Sequence, residues 1–142
     1  MKKLVAILLI FCALFFSSCD IQGSIDNAKV FSENFVNTLD DDLDNARIYL
    51  HPDFWPGEER LDAFINQLER ANDIDFSDGV EIVNCEWRAY GLYDGNYDGS
   101  LYKYYFELSV GEKLINMFVL VIENNKGYGV KYFGVDPNLK KP

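Results

Sequence analysis

Three oxygen-bearing side chains, Asp94, Asn96 and Asp98, alternate in the stretch DGNYDGS, with Gly99 in the sixth position. Oxygen ligands at every second position and a glycine sixth are typical of a calcium-binding loop. Such a loop closes with an acid at position twelve, and that position holds Tyr105. Gly, Asp and Asn are equally typical of hairpin turns, because they accept positive φ angles. We predict a hairpin turn, with a weak, loop-only calcium site as the alternative.

His51 is the only histidine of the chain, which excludes metal sites built on histidine pairs. The sequence also lacks the Gly-x-Ser-x-Gly elbow that sets up a serine nucleophile. Because Pro52 restricts the residue before it, His51 is predicted to end a helix and to hydrogen bond to its last carbonyl groups. Cys85 alternates with Val83 and Trp87, and we predict a buried, inert thiol.

Four aromatic side chains are candidates for contacting an apolar or peptide ligand: Trp55, Trp87, Tyr104 and Tyr132. Aromatic rings line many small-molecule sites and dominate the binding energy of many interfaces. They also fill hydrophobic cores, where a buried tyrosine hydroxyl finds a hydrogen-bond partner. The sequence leaves both uses open. We predict no cofactor.

Three helices are predicted in the first half of the chain. From Ser24, a plausible N-cap, apolar residues recur three or four positions apart. A short second helix ends before Pro52, and a third begins at Pro56 and Gly57. The three apolar faces are formed by Ile25, Ala28, Phe31, Phe35 and Leu39, by Leu43, Ala46, Tyr49 and Leu50, and by Leu61, Phe64, Ile65 and Leu68.

After Gly79 the apolar period falls to two, which predicts strands. A strand over residues 113–123 is apolar on both faces, as expected of a central strand or of one whose outer face meets a second copy in a homodimer. A last strand covers residues 128–135. The preceding two strands have one buried face each, formed by Val83, Cys85, Trp87 and Ala89, and by Tyr102, Tyr104, Phe106, Leu108 and Val110.

The N-terminus has the pattern of a secretory signal, with Lys2 and Lys3 followed by an apolar run over residues 4–16. That run is shorter than the roughly 20 residues that span a membrane. The stretch FSSC, ending at Cys19, resembles a bacterial lipobox. The resemblance implies that residues 1–18 are cleaved and that Cys19 carries a diacylglycerol and an acylated amine, commonly palmitate; ordinary secretion is the alternative. Residues 19–23 would then form a short lipidated tether, in which the four residues from Asp20 to Gly23 reach at most about 14 Å.

The chain is acidic, with a formal net charge of −10, and loss of Lys2 and Lys3 with the signal would bring it to −12. This charge disfavours nucleic acids and anionic head groups as ligands. Cys12 leaves with the signal and Cys19 is predicted to be lipidated, so Cys85 alone remains and no intramolecular disulfide is expected. The hydrophobic core must therefore stabilise the fold.

Helices followed by antiparallel strands predict a single α+β domain over residues 24–142. The order resembles the nuclear transport factor two-like, or cystatin-like, superfamily, as do the stretches ARIYLHPDF, residues 46–54, and GYGVKYFGV, residues 127–135. The resemblance implies N-terminal helices packed on a curved, mostly antiparallel sheet that forms a cone. Its enzymes, such as ketosteroid isomerase-like and dehydratase-like proteins, use an acid-base pair inside the cone.

By that resemblance, His51 or Asp53 with Tyr104 would supply such a pair. We favour a non-catalytic interpretation, in which a membrane-anchored lipoprotein of the bacterial cell envelope faces the periplasm or the cell exterior. It would bind a peptide, a protein partner or a small apolar ligand. The alternative is an isomerase or hydro-lyase using the cavity pair.

Overall fold

The computed structural model describes residues 22–40, 43–55, 59–93 and 99–137. The signal and Cys19 lie outside these ranges, as do Asp94, Asn96 and Asp98 of the candidate calcium loop. Lipidation and calcium binding therefore stay predictions. Tyr105 lies within a strand, so the position where a calcium loop needs its closing acid belongs to the sheet.

Among the described residues, three α-helices precede the strands, as the apolar spacing predicts. They are α1, described over residues 22–36, α2 over Leu43–Arg47 and α3 over Glu59–Asn72. The first ends three residues earlier than the apolar pattern, although Leu39 is still buried in the turn that follows. Asp73 has a φ of 53°, a left-handed conformation that ends α3. A short 3-10 helix, Phe76–Asp78, then leads into the sheet.

The four strands that the structure describes form one antiparallel sheet in sequential order. They are β1 over Val80–Tyr93, β2 over Gly99–Val110, β3 over Lys113–Asn124 and β4 over Gly127–Val135. The prediction of an α+β fold is confirmed. Helices and sheet share one hydrophobic core. All the described elements fall within residues 20–142, the part of the chain proposed below for solution experiments.

The central strands follow the predicted alternation. On β2 the side chains of Tyr102, Tyr104, Phe106, Leu108 and Val110 are all buried. β3 pairs with β2 on one side and with β4 on the other, which confirms the central position that its two apolar faces indicated. On its inner face Met117, Val119 and Val121 are buried. Leu114, on the other face, is exposed. The homodimer remains a prediction.

The burial predicted for β1 is wrong at two positions. Val83 is 54% exposed and Trp87 is 47% exposed. The pairing of β1 with β2 shifts between Ile82 and Asn84, so Val83 is an extra residue that interrupts the alternation. Trp87 lies opposite Tyr104 and therefore shares its face, but it is on the outermost strand, where less of the core covers it.

The segment after α2 crosses the edge of β4 and pairs with it. Leu50 and Val130 form a parallel bridge, in which the His51 N–H donates to the Val130 carbonyl at 3.0 Å and the Val130 N–H donates to the Tyr49 carbonyl at 2.7 Å. Gly129 permits this approach, because a Cβ at that position would lie 2.5 Å from His51 Cβ. We call residues 49–55 the crossing segment.

In the described part of the chain, none of the helices combines the length and the apolar character needed to span a membrane.

Candidate functional site

An open groove lies where the crossing segment, α3 and strands β3 and β4 meet. Its volume is about 540 Å³, within the range of about 300–1,000 Å³ typical of small-molecule sites. We call it the aromatic groove. It is lined by Phe54, Trp55, Arg60, Phe64, Leu120, Lys131 and Tyr132.

The indole of Trp55 is held in place from three sides. Its ring stacks on buried Phe133, with centroids 5.7 Å apart and planes inclined by 24°, and it meets the ring of Phe64 edge-on at 5.5 Å. Its Nε1–H donates to the Lys131 carbonyl at 3.1 Å. Because the polar atom of the indole is already satisfied, Trp55 offers the groove a fixed apolar surface.

Tyr132 also lines the groove and is 45% exposed. Its ring lies 5.8 Å from that of Phe64 and 5.8 Å from that of Phe118. The ring is therefore supported by neighbours while much of its surface remains in solvent. A ligand in the groove would bury that surface.

A β-bulge explains why two consecutive residues of β4 line the same groove. Tyr132 pairs with Leu120, and Val130 pairs with Val121, so Lys131 is an extra residue on β4. In a regular strand consecutive side chains point to opposite faces, and a bulge breaks that rule locally. Lys131 Nζ lies 5.1 Å from the ring centroid of Phe54, which also lines the groove.

His51 and Asp53 lie together, in a polar cluster at the turn between β3 and β4. His51 is 1% exposed. Asn124 Oδ1 lies 3.1 Å from His51 Nε2 and also accepts from the Lys126 N–H at 2.9 Å, so an amide oxygen faces the ring and Nε2 is the donor. Nδ1 accepts from the Asp53 N–H at 3.3 Å. The Nε2 contact thus holds the crossing segment to the turn, whereas the Nδ1 contact is internal to the segment.

The Asp53 carboxylate is also engaged. Its Oδ2 lies 3.7 Å from His51 Nδ1, and its Oδ1 pairs with Lys126. The polar cluster is therefore a closed set of mutual contacts among the crossing segment and the turn. These contacts give His51 and Asp53 a structural role that needs no external ligand.

The hydroxyl groups of the two buried tyrosines on β2 donate to acceptors outside the polar cluster. The Tyr104 hydroxyl donates to the Ile25 carbonyl at 2.5 Å, and the Tyr102 hydroxyl donates to Glu123 Oε2 at 2.8 Å. Burial raises the pKa of Tyr104, and burial followed by the hydrogen bond to Glu123 raises the pKa of Tyr102 to about 12. Both hydroxyls stay protonated at neutral pH. That of Tyr104 ties β2 to α1.

The structure separates the four aromatic candidates into two groups. Trp55 and Tyr132 line the aromatic groove, whereas Tyr104 is fully buried and Trp87 lies on β1. Phe64 was predicted only as part of the apolar face of a helix. Leu120 was predicted only as an apolar strand residue, and the two apolar faces of β3 were the sequence signal that could have placed it in a binding site. Neither Arg60 nor Lys131 was predicted to line a ligand site.

The residues that the structure describes contain no group of three or more His, Cys, Asp or Glu side chains arranged to hold a metal ion. Cys85 is a free, half-buried thiol. Burial, followed by the nearby Glu33, raises its pKa to about 12. Little thiolate forms at neutral pH, and an inert thiol is what the alternation of β1 predicted.

Comparisons of the chain with family models, with curated proteins and with solved structures gave no match.

Proposed function

We propose that the protein is a non-catalytic binding protein, anchored through Cys19 to a membrane of the bacterial cell envelope, and that its aromatic groove holds a small apolar ligand. The observation that carries this proposal is the groove itself, in which Trp55, Phe64 and Tyr132 keep apolar surface in fixed orientations at an opening to solvent. Rigid rings lose little conformational entropy when a ligand binds.

We also propose that the α+β fold is the cystatin-like cone. The two stretches that carry the resemblance, residues 46–54 and 127–135, are adjacent in the structure. They are joined by the parallel bridge between Leu50 and Val130. The crossing segment then delivers Phe54 and Trp55 to the groove. The two stretches that carry the resemblance would thus position the binding site.

The enzymatic alternative is not proposed. An isomerase or hydro-lyase of the resembled type needs the Tyr104 hydroxyl to stabilise a developing oxyanion near the base. That hydroxyl donates to the Ile25 carbonyl, while His51 and Asp53 contact Asn124 and Lys126. The groove, in contrast, is available to a ligand without rearrangement.

The neutral fluorescent probe N-phenyl-1-naphthylamine tests the binding function. We expect saturable binding of one probe by residues 20–142, with an affinity about tenfold lower in Tyr132→Ala, because loss of one aromatic contact costs about 1–1.5 kcal/mol. Trp87→Ala is a matched control, since Trp87 is 47% exposed and Tyr132 45%. Failure of the wild-type protein to bind saturably, or equal weakening by the two substitutions, would contradict the proposal.

A further inference from the structure

The apolar surface of the aromatic groove continues onto the face of the sheet that is turned away from the core, which we call the outer face. Leu120, which lines the groove, and Phe118 lie two positions apart on β3 and therefore share this face. The ring of Phe118 lies 5.8 Å from that of Tyr132, and both rings keep part of their surface in solvent. The floor of the groove thus extends along β3 to Phe118.

Gly134 makes room for this extension on the side of β4. It pairs with Phe118 across the two strands, and a Cβ at this position would lie 3.2 Å from two atoms of the Phe118 ring. The φ of Gly134 is not among the positive values of the chain, so this glycine provides space and not a special backbone conformation. The Phe118 ring therefore lies low over β4, next to Tyr132.

On the side of β2, the extension is bounded by Lys103. The Lys103 Nζ lies 5.0 Å from the ring centroid of Phe118 and 4.9 Å from that of Tyr105, the neighbouring ring on β2. A cation over an aromatic face is attracted by the ring. An apolar ligand is thus directed along β3 and β4, and not across to β2.

The dimensions of this surface fit an elongated ligand. Successive ring centroids from Trp55 to Phe64, Tyr132 and Phe118 are 5.5, 5.8 and 5.8 Å apart, which gives a path of at most about 17 Å. We call this path the aromatic track. Since a C–C bond of about 1.5 Å lets an extended alkyl chain advance about 1.3 Å per carbon, the track matches a chain of about twelve carbons.

We propose that the ligand of the groove is a single-chain aliphatic molecule of about twelve carbons, which lies along the aromatic track from Trp55 to Phe118. Methylenes gain free energy on leaving water and need no polar partner, so fixed rings are sufficient to hold them. This inference rests on the proposed binding function. The ligand is a free molecule and not a bilayer lipid, because the formal net charge of −10 opposes close approach to an anionic membrane surface.

Two neutral alcohols that differ only in chain length test the track. 1-Octanol and 1-dodecanol compete with N-phenyl-1-naphthylamine for residues 20–142, and their affinities follow from displacement of the probe. A fully buried methylene raises the affinity about fourfold, and a methylene covered on one side about twofold. The four additional methylenes of dodecanol should therefore raise its affinity about fifteenfold over that of octanol.

Phe118→Ala assigns this gain to the track. Octanol is too short to reach from Trp55 to Phe118, so the variant should bind octanol and the probe as the wild type does. The gain from the longer chain should fall to about threefold or less. Leu114→Ala is the matched control, because Leu114 lies on the same face of the same strand, four positions away, and is 63% exposed. It should keep the full gain.

Gly134→Val tests the same contact from the other strand. Its side chain would occupy the space of the Phe118 ring and displace that ring, while a β-branched residue is well suited to a strand. The variant should lose the gain from the longer chain and keep the affinity for octanol. Circular dichroism and thermal unfolding verify that each variant is folded.

The outcomes that contradict the track are distinguishable from failure of the binding function. A gain that both Phe118→Ala and Gly134→Val leave intact would limit the ligand to the groove. Equal weakening of the probe and both alcohols by Phe118→Ala would make Phe118 a support for Tyr132 and not a ligand contact. Absence of saturable probe binding by the wild type would remove the proposed function as well.

Three further results would identify a different occupant of the track. Wild-type protein that sediments as a dimer and dissociates when dodecanol is added would make a second copy the occupant. Tighter dodecanol binding after removal of residues 138–142 would assign the track to those residues. Flotation of residues 20–142 with vesicles of phosphatidylcholine and phosphatidylglycerol would make a bilayer lipid the source of the chain.

Discussion

Substitution of Gly129 by alanine is expected to detach the crossing segment from β4. A Cβ at this position would lie 2.5 Å from His51 Cβ and 2.6 Å from His51 Cα, closer than such atoms approach one another. Because His51 Cα is backbone, a side-chain rotation cannot relieve the contact. The φ of Gly129 is not among the positive values of the chain, so the effect is steric and not conformational.

The magnitude follows from the contacts that must change. Overpacking a tight site costs about 1–3 kcal/mol. Moving the segment also strains the two hydrogen bonds between it and Val130, each of which contributes about 1 kcal/mol. We therefore expect Gly129→Ala to lower the free energy of unfolding by about 3 kcal/mol. This is a large share of the 5–15 kcal/mol typical of a domain.

Urea unfolding of residues 20–142, followed by tryptophan fluorescence, measures this change. With a slope of about 1–3 kcal/mol per molar urea, the midpoint should fall by about 1–3 M. Gly91→Ala is the control, because a Cβ there meets no atom within 4 Å. It should change the stability by less than about 0.5 kcal/mol. If Gly129→Ala is as stable as Gly91→Ala, the crossing segment does not lie against β4 as described.

Two further predictions concern the tyrosine network and the anchor. The raised pKa of Tyr102, about 12 against an ordinary 10, means that its contribution to stability is complete below pH 10 and is lost as the pH rises towards 12. In urea unfolding, Tyr102→Phe should thus lose less stability than the wild type over this pH range. Tyr132→Phe, at an exposed position, should lose as much as the wild type. An equal loss in Tyr102→Phe would show that the Tyr102 hydroxyl is not the group responsible. Intact mass of the membrane-extracted protein should show Cys19 as a diacylglyceryl N-terminus, absent from Cys19→Ser, and a processed chain with an unmodified Cys19 would refute the anchor.

The sequence predicts β2 well because this strand keeps an unbroken period of two. Its neighbours on both sides hold it in register, so Tyr102, Tyr104 and Phe106 all face the core. The same rule fails on β1, where extra residues interrupt the pairing with β2 and Val83 becomes exposed. Bulges depend on how two strands meet, and nothing in the local alternation marks where one occurs.

Prediction of the candidate site is limited for a related reason. Trp55 and Tyr132 were identified by residue type, and type alone also selected Trp87 and Tyr104, which lie elsewhere. What distinguishes the first pair is the crossing segment, which brings Trp55 against β4 through the approach of His51 to Gly129. That contact joins residues far apart in sequence and leaves no periodic signal.

The position of Lys131 shows how an irregularity in a strand shapes the candidate site. In a regular β4, Lys131 and Tyr132 would point to opposite faces of the sheet. Only one of these two side chains, the cation or the aromatic ring, would then line the groove. The extra residue opposite Leu120 and Val121 brings the two together. Local rules tend to fail at functional sites, where the chain departs from regular structure to place a side chain. A site that depends on such a bulge should therefore be sought where the strand pairing shifts, and β4 is where this protein combines charge with apolar surface.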